Sequence, residues 1–420
     1  MMADAKTPAA RPPLMPLDEA LSRLADVASG HRITQAEELP TAAALGRVLA
    51  APVVSALDVP PADNSSMDGY ALRVADLAAG RPLPVSQRIA AGSVGAPLEP
   101  GTAARIFTGA PIPAGADAVV MQEQCELIPG EPSEVEVNGT VEAGQWIRRQ
   151  GEDVRHGSTV LAAGTRLTPQ ALGLAASVGA ASLQVLRRPR VALFSTGDEL
   201  VMPGDPLPPG AIYNSNRFTL RALLEAAGCV VDDLGIVPDR LAATREALRR
   251  AAEGNDLILT SGGVSVGEED HLKPAVQAEG RLDLWQMAIK PGKPLAFGAV
   301  RRAAGGEALF MGLPGNPVSS FVTFVLVVAP VLRALQGMVA ALPPALPLRA
   351  GFEWPKPDKR REFLRAQLNA EGELELYSNQ SSGVLTSAVW ADGLVDNPPG
   401  RAIARGDTVR FLPLASLVGR

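Results

Sequence analysis

The chain of 420 residues has only two cysteines, three histidines and few aromatics, at 4%. Cys125 and Cys229 are too few and too far apart to form a disulfide framework, and they fit a reducing, cytoplasmic compartment. His31, His156 and His271 cannot supply the clustered soft ligands of a zinc site. A hard cation held by carboxylates is the metal class still open. Scarce aromatics argue against a base-stacking surface. A net charge of −6 at pH 7 argues against a basic face for nucleic acid, so no such partner is expected. Long apolar runs are missing too. The longest, 321–332, has twelve residues and contains Pro330, short of the roughly twenty that cross a bilayer, so a soluble protein with no membrane partner is expected. Residues 1–16 carry Lys6 and Arg11 but no hydrophobic stretch, which predicts a disordered lead-in in place of a secretory signal.

At 46% apolar and 20% charged, the chain can bury real cores, and its length suggests roughly three domains. Helical spacing runs through Leu21, Leu24, Ala25 and Val27 and returns over 42–49. Residues 53–150 change to short β-like runs at 83–89, 104–107, 118–122 and 134–137, punctuated by Gly and Pro. That texture predicts a compact β domain. In 151–187, turns precede a helix opened by Thr168-Pro169, a cap with Pro at the first helical position. This piece is expected to return onto 17–52, making one discontinuous domain around the β insertion. Residues 188–340 alternate: strands at 190–195, 230–237, 256–260, 295–300 and 308–311, helices at 216–227, 241–253, 270–278 and from 316. The alternation predicts a parallel, doubly wound sheet. Beyond the Pro-rich linker 342–347, residues 341–420 read as a small β barrel. The expected fold is multidomain, α/β plus β.

In an open α/β sheet, ligands collect beyond the carboxyl ends of the strands, where the unusual loops fall. They are Ser195-Thr196-Gly197-Asp198-Glu199, Pro238-Asp239-Arg240, the run from Ser261 through Gly262, Gly263 and Ser265 to Asp270, Lys290-Pro291-Gly292-Lys293, and Pro314-Gly315-Asn316-Pro317. Glycines let backbone N–H groups approach an anion, serines add hydroxyls, Asn316-Pro317 opens a helix and the lysines carry full charge. The set suits phosphates. Glu199, Asp239 and Asp270 would repel them unless Mg²⁺ bridges carboxylate and phosphate oxygens. His271 reads as a surface or packing residue, and Cys229 as buried and inert.

Those loops, the string Asp63…Tyr70 and the turn Thr108-Gly109-Ala110-Pro111 occur together in an order that resembles the molybdopterin molybdenumtransferases, the MoeA family, similar to the E domain of gephyrin. The resemblance covers about 17–420. It implies a discontinuous helical domain (17–52 and 151–187), an inserted β domain (53–150), a three-layer α/β domain (188–340) and a C-terminal β barrel (341–420). It also implies a homodimer whose cleft is shared between subunits. The implied reaction takes adenylylated molybdopterin and molybdate, with Mg²⁺, to molybdenum cofactor and AMP. Glu199, Asp239 and Asp270 would then handle Mg²⁺ and the phosphoanhydride, with Asp68, Thr108 and Asp153 completing the site from the partner side. Ser195, Thr196, Gly197, Ser261, Gly262, Gly263, Ser265, Pro314, Gly315 and Asn316 would bind substrate, and Lys290 and Lys293 would neutralise its anions. Arg365 and Ser382 align with positions near a molybdate site, where a guanidinium fork and a hydroxyl suit a tetrahedral oxyanion.

Because the dithiolene sulfurs belong to the substrate, the resemblance calls for no cysteine nucleophile; the implied task is electrostatic. One departure stands out. Gln286 follows Trp285 where some relatives carry Lys, removing one cation. Implied partners include the preceding adenylyltransferase and molybdoenzyme-maturation proteins. Three other readings stay open: that adenylyltransferase itself, whose fold resembles 189–336 alone, a gephyrin-like scaffold, and an enzyme handling tungstate.

Overall fold

The computed structural model describes residues 14–263 and 271–418. Its contacts divide the chain into two units, residues 1–36 with 186–420, and residues 37–185.

The larger unit is built on a six-stranded sheet in the order Val230–Val237, Arg190–Thr196, Leu257–Ser261, Glu307–Leu313, Pro294–Arg301, Gly280–Gln286. Apolar residues fill both faces because successive side chains point to opposite sides. Val191, Leu193, Leu257, Leu259, Leu309 and Met311 join one core. Ala192, Phe194, Ile258, Ala308 and Phe310 join another, with Leu248, Ala251, Ala275 and Val276 from the helices Leu241–Ala252 and Leu272–Glu279. The first four strands are parallel, as the alternation predicts. Pro294–Arg301 runs antiparallel to both of its neighbours, and Gly280–Gln286 is an edge strand that sequence patterning does not reveal.

Helix Leu17–Ser29 departs from expectation. Its stripe Leu17, Ala20, Leu21, Leu24, Ala28 is buried in the α/β core with Val331, Leu332 and Leu335, not against 151–187. An amphipathic stripe says that a face is buried, not against what. Nor do 42–49 form a helix: a single 3₁₀ turn, Thr41–Ala43, precedes bridges at Val48 and Leu49. Of the expected lead-in, 1–13 lie outside the described residues, but Met15 is fixed. Its N–H donates to the Gln286 carbonyl at 2.7 Å and its carbonyl accepts from Ala288 at 2.7 Å.

Pro317–Leu335 is a 19-residue helix long and apolar enough to cross a membrane by length and composition, yet it is 89% buried inside the unit. It is a core helix. Phe324–Val328 is a π segment. Pro330 lacks an N–H for the carbonyl one turn back, and the widened turn accommodates that loss.

In the same unit, Arg361–Leu368 pairs with both Glu373–Leu376 and Gly393–Asn397. Leu346–Ala350 and Thr408–Pro413 complete the ring, giving a closed five-stranded barrel around Leu364, Leu374, Val395 and Phe411. Ile289–Lys290 adds in parallel to Arg361–Glu362, so the lysine loop is stitched to the barrel.

The smaller unit contains a sheet in the order Ala118–Met121, Gly69–Leu72, Ala103–Ile106, Leu83–Ile89, Glu134–Val137, Cys125–Ile128. Beside it, Leu49, Val53, Val154, Leu167, Ala171, Ala175, Leu183 and Val185 form one core. Helix Pro169–Ser177 starts where Thr168 Oγ1 accepts from the Ala171 N–H.

Candidate active site

A cleft of about 1020 Å³ lies at the carboxyl ends of the parallel strands, facing the barrel. Thr196 ends the strand Arg190–Thr196 with Gly197 and Glu199 just beyond it, Asp239 follows Val230–Val237, Ser261 ends Leu257–Ser261 with Gly262 and Gly263 just beyond it, and Pro314, Gly315 and Asn316 follow Glu307–Leu313. Lys290 and Lys293 precede their strand, yet reach the same edge because Pro294–Arg301 runs antiparallel, with Ala296 opposite Gly312. Reversing one strand brings the lysines to the acids. The barrel supplies Arg360 and 380–383.

Close packing shapes the floor. Gly262 has φ +89, and a Cβ there would sit 2.8 Å from the Thr196 carbonyl oxygen. At Gly292, φ +108, it would meet Thr323 Oγ1 at 2.6 Å. The Gly262 N–H donates to the Leu313 carbonyl at 3.1 Å, so it is occupied by the fold and not held for an anion. The amide of Val318, on the helix that Asn316 opens, donates to the Ser382 carbonyl at 3.0 Å. Asn316 itself makes no side-chain cap.

Cations dominate the barrel side. Lys290 Nζ lies 3.3 Å from Glu362 Oε1 and 3.4 Å from Asp358 Oδ2. Glu362 is fully buried and also accepts from Trp354 Nε1 at 2.9 Å. The Arg360 guanidinium pairs with Asp358 at 2.9 Å and holds that carboxyl far below the usual carboxylate range. Lys293 has no ion pair among the described residues. Glu199 is exposed, its carboxylate lying over Gly197, while Asp239 takes an intermediate position.

Thr196, Gly197, Glu199, Asp239, Ser261, Gly262, Gly263, Lys290, Lys293, Pro314, Gly315, Asn316 and Ser382 thus share one cleft. Ser265 and Asp270 lie outside the described residues. Ser195 is buried beneath, its Oγ 3.1 Å from Ser261 Oγ. Arg365 is corrected: it is 1% exposed and does not line the cleft. Its guanidinium donates to Ser387 Oγ at 3.1 Å and to the carbonyls of Phe363 and Ser381, both at 3.3 Å. Burial pushes its pKa down to about 10. An alternating strand offers no sign of which face holds its arginine, so a fork that seemed free for an oxyanion instead braces the loop carrying Ser382. Gln286 lies in the edge strand opposite Pro294, off the cleft. Cys229 is buried, with its thiol pushed up to about 12.

Sequence reasoning missed Tyr213, Asn214, Ser215, Asn216, Ser319 and Arg360. The triplet Lys359-Arg360-Arg361 and the capping string Asn214-Ser215-Asn216 were the available signals.

On the smaller unit, Asp68 and Thr108 are brought together: Asp68 Oδ1 accepts the Thr108 N–H at 2.7 Å and its hydroxyl at 2.8 Å. Asp153 is exposed on a neighbouring loop whose N–H donates to the Val59 carbonyl. Among the described residues, no hydrogen bond or ion pair joins it to that pair.

Three family models match in succession: the MoeA N-terminal region (domain I and II) over 15–179, a probable molybdopterin binding domain over 192–334, and the MoeA C-terminal region (domain IV) over 347–414. A molybdopterin molybdenumtransferase of Haemophilus influenzae is 40% identical, covering 97% of this chain and 100% of its own. The chain belongs to the molybdopterin molybdenumtransferase (MoeA) family. It is a transferase of that family. Molybdopterin molybdenumtransferase 2 of Mycobacterium tuberculosis is 39% identical, over 89% of this chain and 93% of its own. Among solved structures, a molybdopterin biosynthesis MoeA protein from Pyrococcus horikoshii matches with TM-score 0.80 and 29% identity, covering 95% of this chain and 99% of that one.

Proposed function

We propose that this chain transfers molybdenum from molybdate to adenylylated molybdopterin, with Mg²⁺, releasing AMP and leaving molybdenum cofactor. The observation that carries the reading is a single cleft holding two carboxylates, Glu199 and Asp239, opposite Lys290, Lys293 and Arg360. Two anionic reactants need this division of charge, since the cations neutralise repulsion while the backbone loops hold geometry.

Mg²⁺ fits the donors present. It usually takes one or two protein carboxylates plus substrate phosphates and keeps several waters, and no group of three His, Cys, Asp or Glu forms a cage among the described residues. Glu199 and Asp239 would hold it, with Asp270 the further candidate. When bound, the ion lowers the negative charge that the phosphoanhydride presents to molybdate. Lys290 and Lys293 attract and orient the oxyanions, and Ser382 adds a hydroxyl. Arg365 acts through the 380–382 loop and does not touch the oxyanion. In this reading Asp68, Thr108 and Asp153 serve the cleft from the other subunit of a cytoplasmic homodimer, fed by an adenylyltransferase.

The test is incubation with adenylylated molybdopterin, Mg²⁺ and either molybdate or tungstate, measuring AMP and metal-loaded pterin. AMP released together with loaded pterin supports the reading. Consumption of ATP without release of AMP from the adenylylated substrate points to the adenylyltransferase instead. Asp270→Ala should abolish AMP release while leaving the melting temperature unchanged; near-normal release removes Asp270 from the reaction.

A further inference from the structure

The helices that follow Asn214 and Asn316 both start at the cleft wall. The first amide of the helix after Asn316 is taken by the Ser382 carbonyl. The helix Ser215–Ala226 differs: Asn214, Ser215 and Asn216 all line the cleft, and among the described residues the amides of Ser215 and Asn216 have no backbone acceptor. Asn214 is 1% exposed. Its backbone N–H is fixed on the Val201 carbonyl at 2.9 Å, and its Oδ1 caps the helix by accepting from Arg217 at 3.2 Å. The side-chain amide therefore cannot rotate without losing the cap. Its other end, Nδ2, is a buried donor with no partner among the described residues. Native structures leave few such groups unmet, and one at a cleft wall is completed when an acceptor arrives. Asn216 Nδ2 is already engaged, donating to the Gly315 carbonyl at 2.7 Å, which ties the helix start to the 314–316 loop.

We propose that Asn214 Nδ2 and the open amides of Ser215 and Asn216 form a subsite for a tetrahedral oxyanion of the substrates. Unpaired helix amides and the positive end of the helix dipole favour such a group, and the amide of Asn214 adds a donor whose direction the cap has fixed. Lys290, Lys293 and Arg360 line the same cleft and keep it receptive to anions despite Glu199 and Asp239. Two sources share this chemistry, a phosphate monoester such as AMP and molybdate. The assignment of either to this protein rests on the proposed reaction.

Asn214→Asp keeps a capping acceptor and replaces the donor by a negative charge. Asn214→Ser keeps a cap without that charge. AMP, adenosine and molybdate are titrated into the full-length wild type and both variants by calorimetry, with melting temperatures recorded alongside. Melting temperatures should hold, at least for Asn214→Ser. The Kd of AMP should rise about tenfold for Asn214→Asp and less for Asn214→Ser, with adenosine unaffected. A shift confined to molybdate would place that oxyanion on the subsite. Unchanged Kd values for both anions in both variants would overturn it. A protein that binds AMP through Asn214 but releases none from adenylylated molybdopterin keeps the subsite and loses the reaction.

Discussion

Asp68 and Thr108, forty residues apart in sequence, share one carboxylate oxygen: Asp68 Oδ1 takes both the Thr108 amide at 2.7 Å and its hydroxyl at 2.8 Å. Hydrogen bonds to the ionised form favour it. The Asp68 carboxyl is accordingly held below its ordinary value, by the amide first and the hydroxyl second. Thr108→Val keeps the amide and deletes the hydroxyl, so Asp68 should titrate at higher pH than in the wild type when followed by NMR. Since the folded value is the depressed one, this pair's stabilisation is present above the unfolded carboxyl's value and is lost as pH falls through the folded one. An identical titration in the two proteins would show that the hydroxyl does not act on Asp68.

Arg365 should behave as a brace. Arg365→Ala removes one donor each from the Ser381 and Phe363 carbonyls and from Ser387 Oγ, and opens a cavity. A loss of roughly 3 kcal/mol in unfolding free energy is expected. Faster hydrogen exchange in 380–383 and a higher molybdate requirement should accompany it. Raised molybdate demand with stability and exchange unchanged would return Arg365 to direct contact with the oxyanion.

Two glycines give opposite expectations. Gly292→Ala introduces a Cβ 2.6 Å from Thr323 Oγ1 at φ +108, and should cost about 1–3 kcal/mol. Gly173→Ala, in the helix Pro169–Ser177, meets nothing within 4 Å, and should stabilise by about 0.4–1 kcal/mol. Denaturant midpoints of the two variants moving in the same direction would contradict this pairing.

The cleft lysines should separate by readout. Lys293→Met removes a cation with no ion pair among the described residues, so KM should rise about tenfold with little change in melting temperature. Lys290→Met also strips the buried Glu362 of its counter-ion. Roughly 1–2 kcal/mol of stability should go with it, less than for a fully buried pair because Lys290 is 42% exposed. Equal melting temperatures for both variants would argue against the Lys290–Glu362 pair.

The strand–helix alternation was legible because apolar runs such as 190–196 and 257–261 are buried on both faces and end in Gly turns. So were the loops at their carboxyl ends, since the chain spends glycines and charges there. The edge strand Gly280–Gln286 was not legible: Arg281, Asp283 and Gln286 interrupt its apolar residues. Helix Leu17–Ser29 was visible as an element, but its packing partner lies more than three hundred residues away in sequence. Arg365 and Arg360 show the same limit at the site. One cation is buried, the other lines the cleft, and only the closed barrel decides which.

The most direct measurement is single-turnover release of AMP from adenylylated molybdopterin by the full-length protein, with Mg²⁺ and with or without molybdate. The account predicts AMP and metal-loaded pterin appearing together, and both falling steeply in Glu199→Gln and Lys293→Met. Unchanged turnover in those two variants would contradict a reaction run by the charges of this cleft.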